Sequence, residues 1–305
     1  MHPRTNSQAE KANVMLPLRS SSAGIKTALV VGHDTALAKD LSDILPSWNI
    51  ESAENNSSAL AMVEARHFDL ILTGEATSGK ADVELLCKIR HVRPHTRLII
   101  LTSQSTTEDV IAAMREHAFS YFSKPLSSPF FAEIIRLASE GECWDNGIEV
   151  LSATPAWIRL AARCDKCTAD RLLQFFHEMI DLPDPERHDV GAAFREMLLN
   201  AMEHGAQFNP NQYVEISYVR ARHLIACRVK DPGQGFSLEE IQHAATANPP
   251  DDPLRHQTYR EAKGLRPGGF GVLLARHLVD ELIYGERGNE VLLIKYLKVQ
   301  QPTAA

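Results

Sequence analysis

The first half of the chain alternates short apolar segments with longer amphipathic ones, and this alternation constrains its fold more than any other feature. Between Lys26 and Leu137 the pattern repeats five times, with apolar segments such as TALVV, FDLILT and RLIILT followed by stretches such as ALAKDLSDIL and TEDVIAAMREH. Apolar runs rich in β-branched residues are typical of strands buried on both faces, and strands that alternate with helices form parallel sheets. The sequence therefore predicts an α/β domain with a five-stranded parallel (βα)5 sheet.

The second half of the chain has a different order of elements and is predicted to be a separate domain. Its pattern indicates helices at 168–181 and 189–204, strands at 213–219 and 224–230, a glycine turn, a Pro-rich segment, a helix and two closing strands. This order predicts an α+β domain of two layers. The predicted divisions are a flexible tail at 1–24, the α/β domain at 25–140, a linker at 141–149, the α+β domain at 150–299 and a tail at 300–305.

The composition excludes several classes of protein. The chain has 305 residues, of which 44% are hydrophobic and 23% charged, as in ordinary globular proteins. Its formal net charge of -7 gives no basic field for a phosphate backbone, so we predict no nucleic-acid partner. No apolar run approaches the ~18 residues that a membrane span requires, and the first residues lack the apolar core of a secretion signal. We therefore predict no membrane association and a cytoplasmic location.

The five cysteines are predicted to be reduced thiols, because their number is odd and no secretion signal precedes them. Cys164 and Cys167 form a CxxC pair, but the nearby Cys143 offers no second pair to complete a zinc site. We predict that Cys164 and Cys167 pack in the interior and bind no metal.

Two features of the N-terminal pattern resemble the response-regulator receiver domain. Thr102 ends the fourth apolar segment, and Lys124 followed by Pro125 comes after the fifth. In receivers these positions steady a phosphoryl group, which is attached to an aspartate at the end of the third strand, while acids after the first strand hold Mg²⁺. The layout over residues 26 to 137 agrees with that family.

The acidic residues of a receiver are missing from this sequence. Gly32 and His33 align with the acid pair, which leaves only Asp34, and Gly74 aligns with the phosphate acceptor. Glu75 lies one residue further on, where a strand side chain points in another direction. Without a nucleophile nothing can carry phosphate, so the resemblance implies a pseudo-receiver. We expect it to serve docking or dimerisation through the face built from its fourth and fifth helices.

One predicted helix in the second half, AFREMLLNAMEHG, places polar residues on an otherwise apolar element. Glu196, Asn200 and His204 are spaced by four residues and therefore share one stripe of the helix. Such a stripe is either a solvated face or a binding site. Asparagine supplies a carbonyl oxygen of the kind that Mg²⁺ accepts, and Glu196 lies one turn away, within reach of a nucleophile.

Two glycine-rich segments follow this helix. DPGQGF, at 231–236, comes directly after a predicted strand, and RPGGFGVLLARHLVDEL, at 266–282, opens a helix. Free N–H groups at a helix start form a phosphate site that small residues allow a ligand to approach. A dinucleotide-binding turn requires a different glycine spacing, early in a βαβ unit. Lys263, shortly before the second segment, and Arg266, its first residue, are either phosphate contacts or solvated charges.

The helix and the two glycine segments, in this order, resemble the N box and glycine boxes of the GHKL (gyrase and histidine kinase-like) ATPases. The resemblance implies ATP and Mg²⁺ as cofactors, with Asn200 as the metal ligand and Glu196 as the catalytic base. It implies that Asp231 accepts a hydrogen bond from the adenine amino group. The residues that it implies for nucleotide binding are Asn200, His204, Asp231, Gly233, Gly235, Lys263, Arg266, Gly268, Gly269 and Gly271.

Within these ATPases, the N box of form E-x-x-x-N-A-x-x-H is similar to that of the compact serine kinases that act as anti-sigma factors. The resemblance implies phosphate transfer from ATP to a serine of a small protein partner, and it leaves room for a homodimer. One alternative is an ATP-dependent docking module without phosphate transfer. Another is an atypical histidine kinase with His177 as phosphoacceptor, but Pro183 lies six residues after it, where the family pattern has five.

Overall fold

The computed structural model describes residues 25–74, 77–126, 130–140, 147–235, 251–252, 254–262 and 270–297. Within these ranges the chain forms two sheets of different types, one of five strands and one of six. No helix in the described ranges combines the length and the apolar character needed to cross a membrane.

The N-terminal domain is a parallel sheet covered on both faces by helices, as the alternating pattern predicts. Its strands pair in the order β2-β1-β3-β4-β5. Helices α1 and α5 cover one face, and α2, α3 and α4 cover the other. In chain order the elements are β1 (Thr27–Val31), α1 (Thr35–Ile44), β2 (Asn49–Ala53), α2 (Asn56–Ala65), β3 (Leu70–Thr73), α3 (Gly79–Val92), β4 (Arg97–Thr102), α4 (Thr107–Arg115), β5 (Ser120–Ser123) and α5 (Phe130–Glu140).

The C-terminal domain is an α+β layer structure, also as predicted, with an antiparallel sheet in the order β10-β11-β9-β8-β7-β6. The buried side chains of β7, β8 and β9 alternate along each strand and face α6, α7 and α9. Its elements are β6 (Ile148–Thr154), β7 (Trp157–Arg163), α6 (Lys166–Met179), α7 (Asp184–Asn200), a π-helical turn (Ala201–Gly205), β8 (Tyr213–Arg220), β9 (Leu224–Lys230), α8 (Arg255–Ala262), α9 (Gly271–Leu278), β10 (Glu281–Tyr284) and β11 (Glu290–Tyr296).

The end of the second long helix differs from the prediction. The predicted α-helix continues to His204, whereas α7 ends at Asn200 and passes into the π-helical turn. Gln207 and Phe208 then adopt left-handed backbone angles, with φ of 53° and 49°, and the Phe208 N–H donates to the carbonyl of Met202. The wider π turn offsets His204 from the stripe that Glu196 and Asn200 share.

The two domains meet through the face that includes α4 and β5. Strand β5 and helices α4 and α5 contact α6, and α4 also contacts β6. One cluster of buried apolar side chains runs from the N-terminal domain into the C-terminal one, and includes Met114 and Tyr121 on one side and Ile148 and Phe175 on the other. The face expected to dock is therefore covered by the same chain.

Candidate functional site

A cavity of about 730 Å³ opens where the end of the α7 segment meets the turn after β9. Its described lining includes no lysine or arginine, so it suits an uncharged portion of a ligand better than a triphosphate. The residues that line it are His204, Gly205, Ala206, Gln207, Asn209, Gln212, Asp231, Pro232, Gly233, Gln234 and Gly235. The structure thus brings His204, Asp231, Gly233 and Gly235 together, four of the residues singled out from the sequence.

The carboxylate of Asp231 is fixed by its own turn. Its Oδ1 accepts a hydrogen bond from the Gly233 N–H at 2.8 Å. A Cβ atom on Gly205 would lie 2.3 Å from the Asp231 carboxyl carbon, so only glycine lets the π turn approach this side chain so closely. Burial raises the pKa of Asp231, and the N–H of Gly233 partly offsets this rise by stabilising the ionised form. Asp231 therefore offers the cavity a fixed hydrogen-bond acceptor.

The glycine turn is held from outside by the hairpin between β10 and β11. Gly235 has a φ of +83°, and a Cβ atom there would lie 1.7 Å from the carbonyl oxygen of Arg287. The Asn289 side-chain amide donates to the carbonyls of Asp231 and Gly233, each at 3.3 Å, and the Asp231 N–H donates to the Asn289 carbonyl at 3.0 Å. Asn289 is not predicted from the sequence, because the only signal there is a Gly-Asn pair typical of a hairpin turn.

Glu196 lies at the other end of the site, beside the start of α9. A Cβ atom on Gly271 would lie 2.4 Å from Glu196 Oε2, so the first residue of α9 packs directly on this carboxylate. Arg195 Nη1 lies 3.6 Å from Glu196 Oε1, and the Glu196 side chain remains 28% exposed. Glu196 is accessible to solvent at a helix start, where unpaired backbone N–H groups favour anions.

Asn200 lies between these two ends, at the last residue of α7 and about 6 Å along the helix from Glu196 at the α-helical rise. The described residues contain no group of three or more His, Cys, Asp or Glu side chains that would hold a metal on their own. The oxygens of Asn200 and Glu196 suit Mg²⁺ that is shared with a nucleotide's phosphates. Four further predicted binding residues, Lys263, Arg266, Gly268 and Gly269, lie outside the described residues.

Two family models match this chain. The histidine kinase-like ATPase domain matches residues 160–295, and the response regulator receiver domain matches residues 19–136. The chain joins a receiver domain to a histidine kinase-like ATPase domain. Both resemblances inferred from the sequence are confirmed, and this pair of domains is that of an ATP-binding signal-transduction protein.

Curated relatives and solved structures match parts of the chain. The probable transcriptional regulatory protein TcrX of Mycobacterium tuberculosis is 30% identical over 103 residues, which are 33% of this chain and 44% of that protein. The transcriptional regulatory protein ZraR of Salmonella typhimurium is 28% identical over 130 residues, 42% of this chain and 29% of that protein. The chain thus spans less than half the length of these relatives. A CheY-like receiver domain protein from Methanospirillum hungatei is 27% identical, with a TM-score of 0.34 over 39% of this chain and 98% of that one.

The receiver domain uses its remaining family residues for structure. Asp34 caps α1 by accepting from the Leu37 N–H at 2.9 Å, and it also pairs with the Lys124 ammonium at 2.5 Å. Burial alone would raise the pKa of Asp34, but these two bonds outweigh it and lower the pKa. The buried Thr102 hydroxyl bonds to the backbone of Gln104, through both its N–H and its carbonyl.

The receiver has no acceptor side chain at position 74, and the surrounding backbone leaves no space for one. A Cβ atom on Gly74 would lie 2.4 Å from the carbonyl oxygen of Val31 at the end of β1. Any side chain at position 74, including an aspartate, would therefore force the ends of β1 and β3 apart. The packing of β1 against position 74 thus excludes an acceptor side chain there.

The cysteines correct one expectation. Cys164 is a buried free thiol, as predicted, and burial raises its pKa to about 11. Cys167 is disulfide-bonded, so the expectation that all five thiols are reduced is wrong. Because Cys164 is free, the two cysteines of the CxxC pair are not bonded to each other.

Proposed function

We propose that this protein is an ATP-dependent serine/threonine-protein kinase of the partner-switching type, which transfers phosphate to a small protein partner. The observation that carries the proposal is the position of Glu196. Its carboxylate packs on Gly271, the first residue of the helix that follows the glycine run, and it stays partly exposed. A base is therefore available at the end of the site that attracts phosphate.

The described site residues have different roles in this proposal. Asp231 would accept a hydrogen bond from the adenine amino group in the cavity, and the start of α9 would bind the phosphates. Mg²⁺ held by Asn200 would neutralise charge on the phosphates. Glu196 takes the proton of a serine hydroxyl as the serine oxygen bonds to the terminal phosphorus. The bond from that phosphorus to the bridging oxygen breaks, and ADP leaves with this oxygen.

Two alternatives make different predictions. A docking module would bind ATP and a partner without transfer, so loss of Glu196 basicity would have no consequence. A histidine kinase would use His177, which is exposed on α6. However, the neighbouring residues of α6 are buried against the receiver and α7, so this helix is part of the domain core rather than of a separate dimerisation hairpin.

The deciding experiment uses the full chain and the proteins that co-purify with it. After incubation with γ-labelled ATP and Mg²⁺, label should appear on a serine or threonine of a partner as an acid-stable phosphoester. The Glu196→Gln protein, which keeps the shape of the side chain but removes its basicity, is the matched control and should leave the partner unlabelled. Label on the chain itself in an acid-labile form would favour a histidine kinase, and no label at all would favour the docking module.

A further inference from the structure

Strand β5 lies at the edge of the receiver sheet, and among the described residues no strand pairs with its outer side. An edge strand presents a row of backbone groups that must be hydrated, paired or covered. On β5 and the residues just before it, this row includes the carbonyl groups of Phe119 and Tyr121 and the N–H of Ser123, which alternate along the strand. These backbone groups of the receiver therefore need partners from outside its sheet.

Helix α6 covers this edge with a polar stripe, which we call the α6 stripe and which consists of Arg171, Gln174 and Glu178. Positions separated by three and seven residues fall on one face of a helix. The Arg171 guanidinium donates to the carbonyl of Phe119 at 2.7 Å, and the Gln174 amide donates to that of Tyr121 at 3.0 Å. Each member of the stripe thus binds a different part of the same strand edge.

Glu178 completes the contact at the end of β5. Its Oε2 accepts from the Ser123 N–H at 3.1 Å and from the Ser123 hydroxyl at 2.6 Å. Its Oε1 accepts from the Gln174 amide at 2.8 Å, which links the members of the stripe. Arg171 is 1% exposed and Gln174 is 4% exposed, so the contact excludes water. A buried contact of this kind is specific, since every polar group in it needs its particular partner.

The opposite face of α6 carries the contact with the catalytic helix. Phe176 lies about half a turn around α6 from the stripe, and its ring stacks on that of Phe194 of α7, with centroids 3.8 Å apart and planes 21° apart. Phe194 precedes Glu196 by only two residues. A single helix therefore contacts the receiver edge on one side and the helix that carries Glu196 and Asn200 on the other.

We propose that the α6 stripe is a docking surface for the β5 edge of the chain's own receiver, and that the docked receiver holds α7 rigid without any phosphorylation. At most seven residues separate the end of α5 at Glu140 from the start of β6 at Ile148, so the linker spans at most about 25 Å and favours docking within one chain. The β5 edge and the α6 stripe are polar and can be hydrated when apart, whereas the apolar cluster that the two domains share keeps them together. Local opening of this polar contact therefore exposes groups that water can bind and leaves both domains folded.

The test compares hydrogen exchange in the full chain without nucleotide, so its outcome does not depend on whether the protein transfers phosphate. The variants are Ser123→Ala on the receiver, Glu178→Gln on α6 and the double variant. Each single variant should speed exchange of the amides of residues 184–200 about tenfold, the effect of losing one hydrogen bond to a charged group. The double variant should match the single ones, because all three break the same contact.

The controls make similar chemical changes at exposed positions. Ser42→Ala on α1 and Asp181→Asn after α6 should leave exchange of α7 as in the parent. Exchange of the amides in β1 and β3 reports whether the receiver stays folded. If Ser123→Ala unfolds it, Gln174→Ala, which alters only α6, takes its place and should give the same acceleration. Exchange of α7 that stays at the parent rate in a folded Ser123→Ala or Gln174→Ala protein overturns the proposal, and so do effects that add in the double variant.

Discussion

The buried carboxyl group of Asp82 makes the receiver's stability depend on pH in a predictable direction. Asp82 is fully buried at the start of α3, and burial raises its pKa from 3.8 to about 6. Hydrogen bonds from Thr77, Asn56 and Thr73 oppose this rise but do not cancel it. The contacts of Thr77 show why its hydrogen bond offsets the penalty only in part. Its hydroxyl lies 2.8 Å from Asp82 Oδ2 and 2.7 Å from the Gly74 carbonyl, yet it has one proton for two acceptors.

A neutral side chain at position 82 resolves this conflict, so we expect Asp82→Asn to stabilise the fold. The asparagine oxygen can still accept from the Asn56 amide, which lies 3.2 Å away. Its NH₂ group can donate to the Thr77 oxygen, which frees the Thr77 proton for Gly74. A pKa raised from 3.8 to about 6 corresponds to about 3 kcal/mol of unfolding free energy when the group is ionised.

The sign of the pH dependence follows from proton binding. Between pH 4 and pH 6 the folded protein holds a proton on Asp82 that the unfolded chain releases, so the stability of the parent falls as the pH rises through this window. Above pH 7 the loss is complete. The variant has no such group, so its advantage should be about 3 kcal/mol at pH 8 and about half of that at pH 5.

The assay is urea unfolding, followed by circular dichroism at pH 5 and pH 8, of the parent, Asp82→Asn and Asp43→Asn. Asp43 is exposed on α1, so its replacement makes the same chemical change without burial and should alter stability little at either pH. An advantage of Asp82→Asn that is equal at the two pH values would show that charge is not its cause. A variant no more stable than the parent at pH 8 would refute the reasoning altogether.

Three further predictions concern the two domains. Asn200→Ala should weaken Mg-ATP binding measured by calorimetry. Glu196→Gln should leave this binding nearly unchanged but lower turnover ~10²–10⁴-fold. Turnover of the Glu196 variant at the parent rate would show that this residue is structural. Acetyl phosphate with Mg²⁺ should form no base-labile acyl phosphate on the parent or on Gly74→Asp, because β1 closes the acceptor position, and stoichiometric label on either would contradict this. Asn289→Ala should weaken ATP binding about tenfold, because it releases the glycine turn. Binding of ADP without Mg²⁺ should weaken by the same factor, and an unchanged affinity for either nucleotide would contradict this role of Asn289.

The sequence predicts the elements of both domains well because burial requires apolar residues at regular spacings along the chain. Strands β1, β3 and β4 of the receiver are buried on both faces. Strand β9 alternates strictly between buried and half-buried positions, and β8 alternates between buried and more exposed positions over its first seven residues. The glycines at 233 and 235 are also predicted site residues, since a glycine that must accept close backbone contact is visible as a residue type. The sequence therefore predicts that Asp231 and Gly235 belong to one site, and both line the cavity.

Contacts between segments that are far apart along the chain produce no such periodic pattern. The α6 stripe is a set of polar residues at helical spacing, and on the sequence alone this pattern is typical of a solvated face. Only the position of β5 at the sheet edge makes it a buried surface. The π turn after Asn200 was missed for a related reason, because the local sequence AMEHG is compatible with an α-helix. Its wider turn depends on how Gly205 packs against Asp231.

The receiver's retained residues indicate why this fold persists without its chemistry. Thr102 and Lys124 serve backbone and ion-pair contacts, and the closed position at Gly74 leaves no room for an acceptor. Without an acceptor this domain carries no phosphate, whereas its β5 edge is hydrogen-bonded to α6 at Phe119, Tyr121 and Ser123. On the docking proposal, a signal that acts on this protein would act on the contact between β5 and α6, and through Phe194 it would reach the helix that carries Glu196.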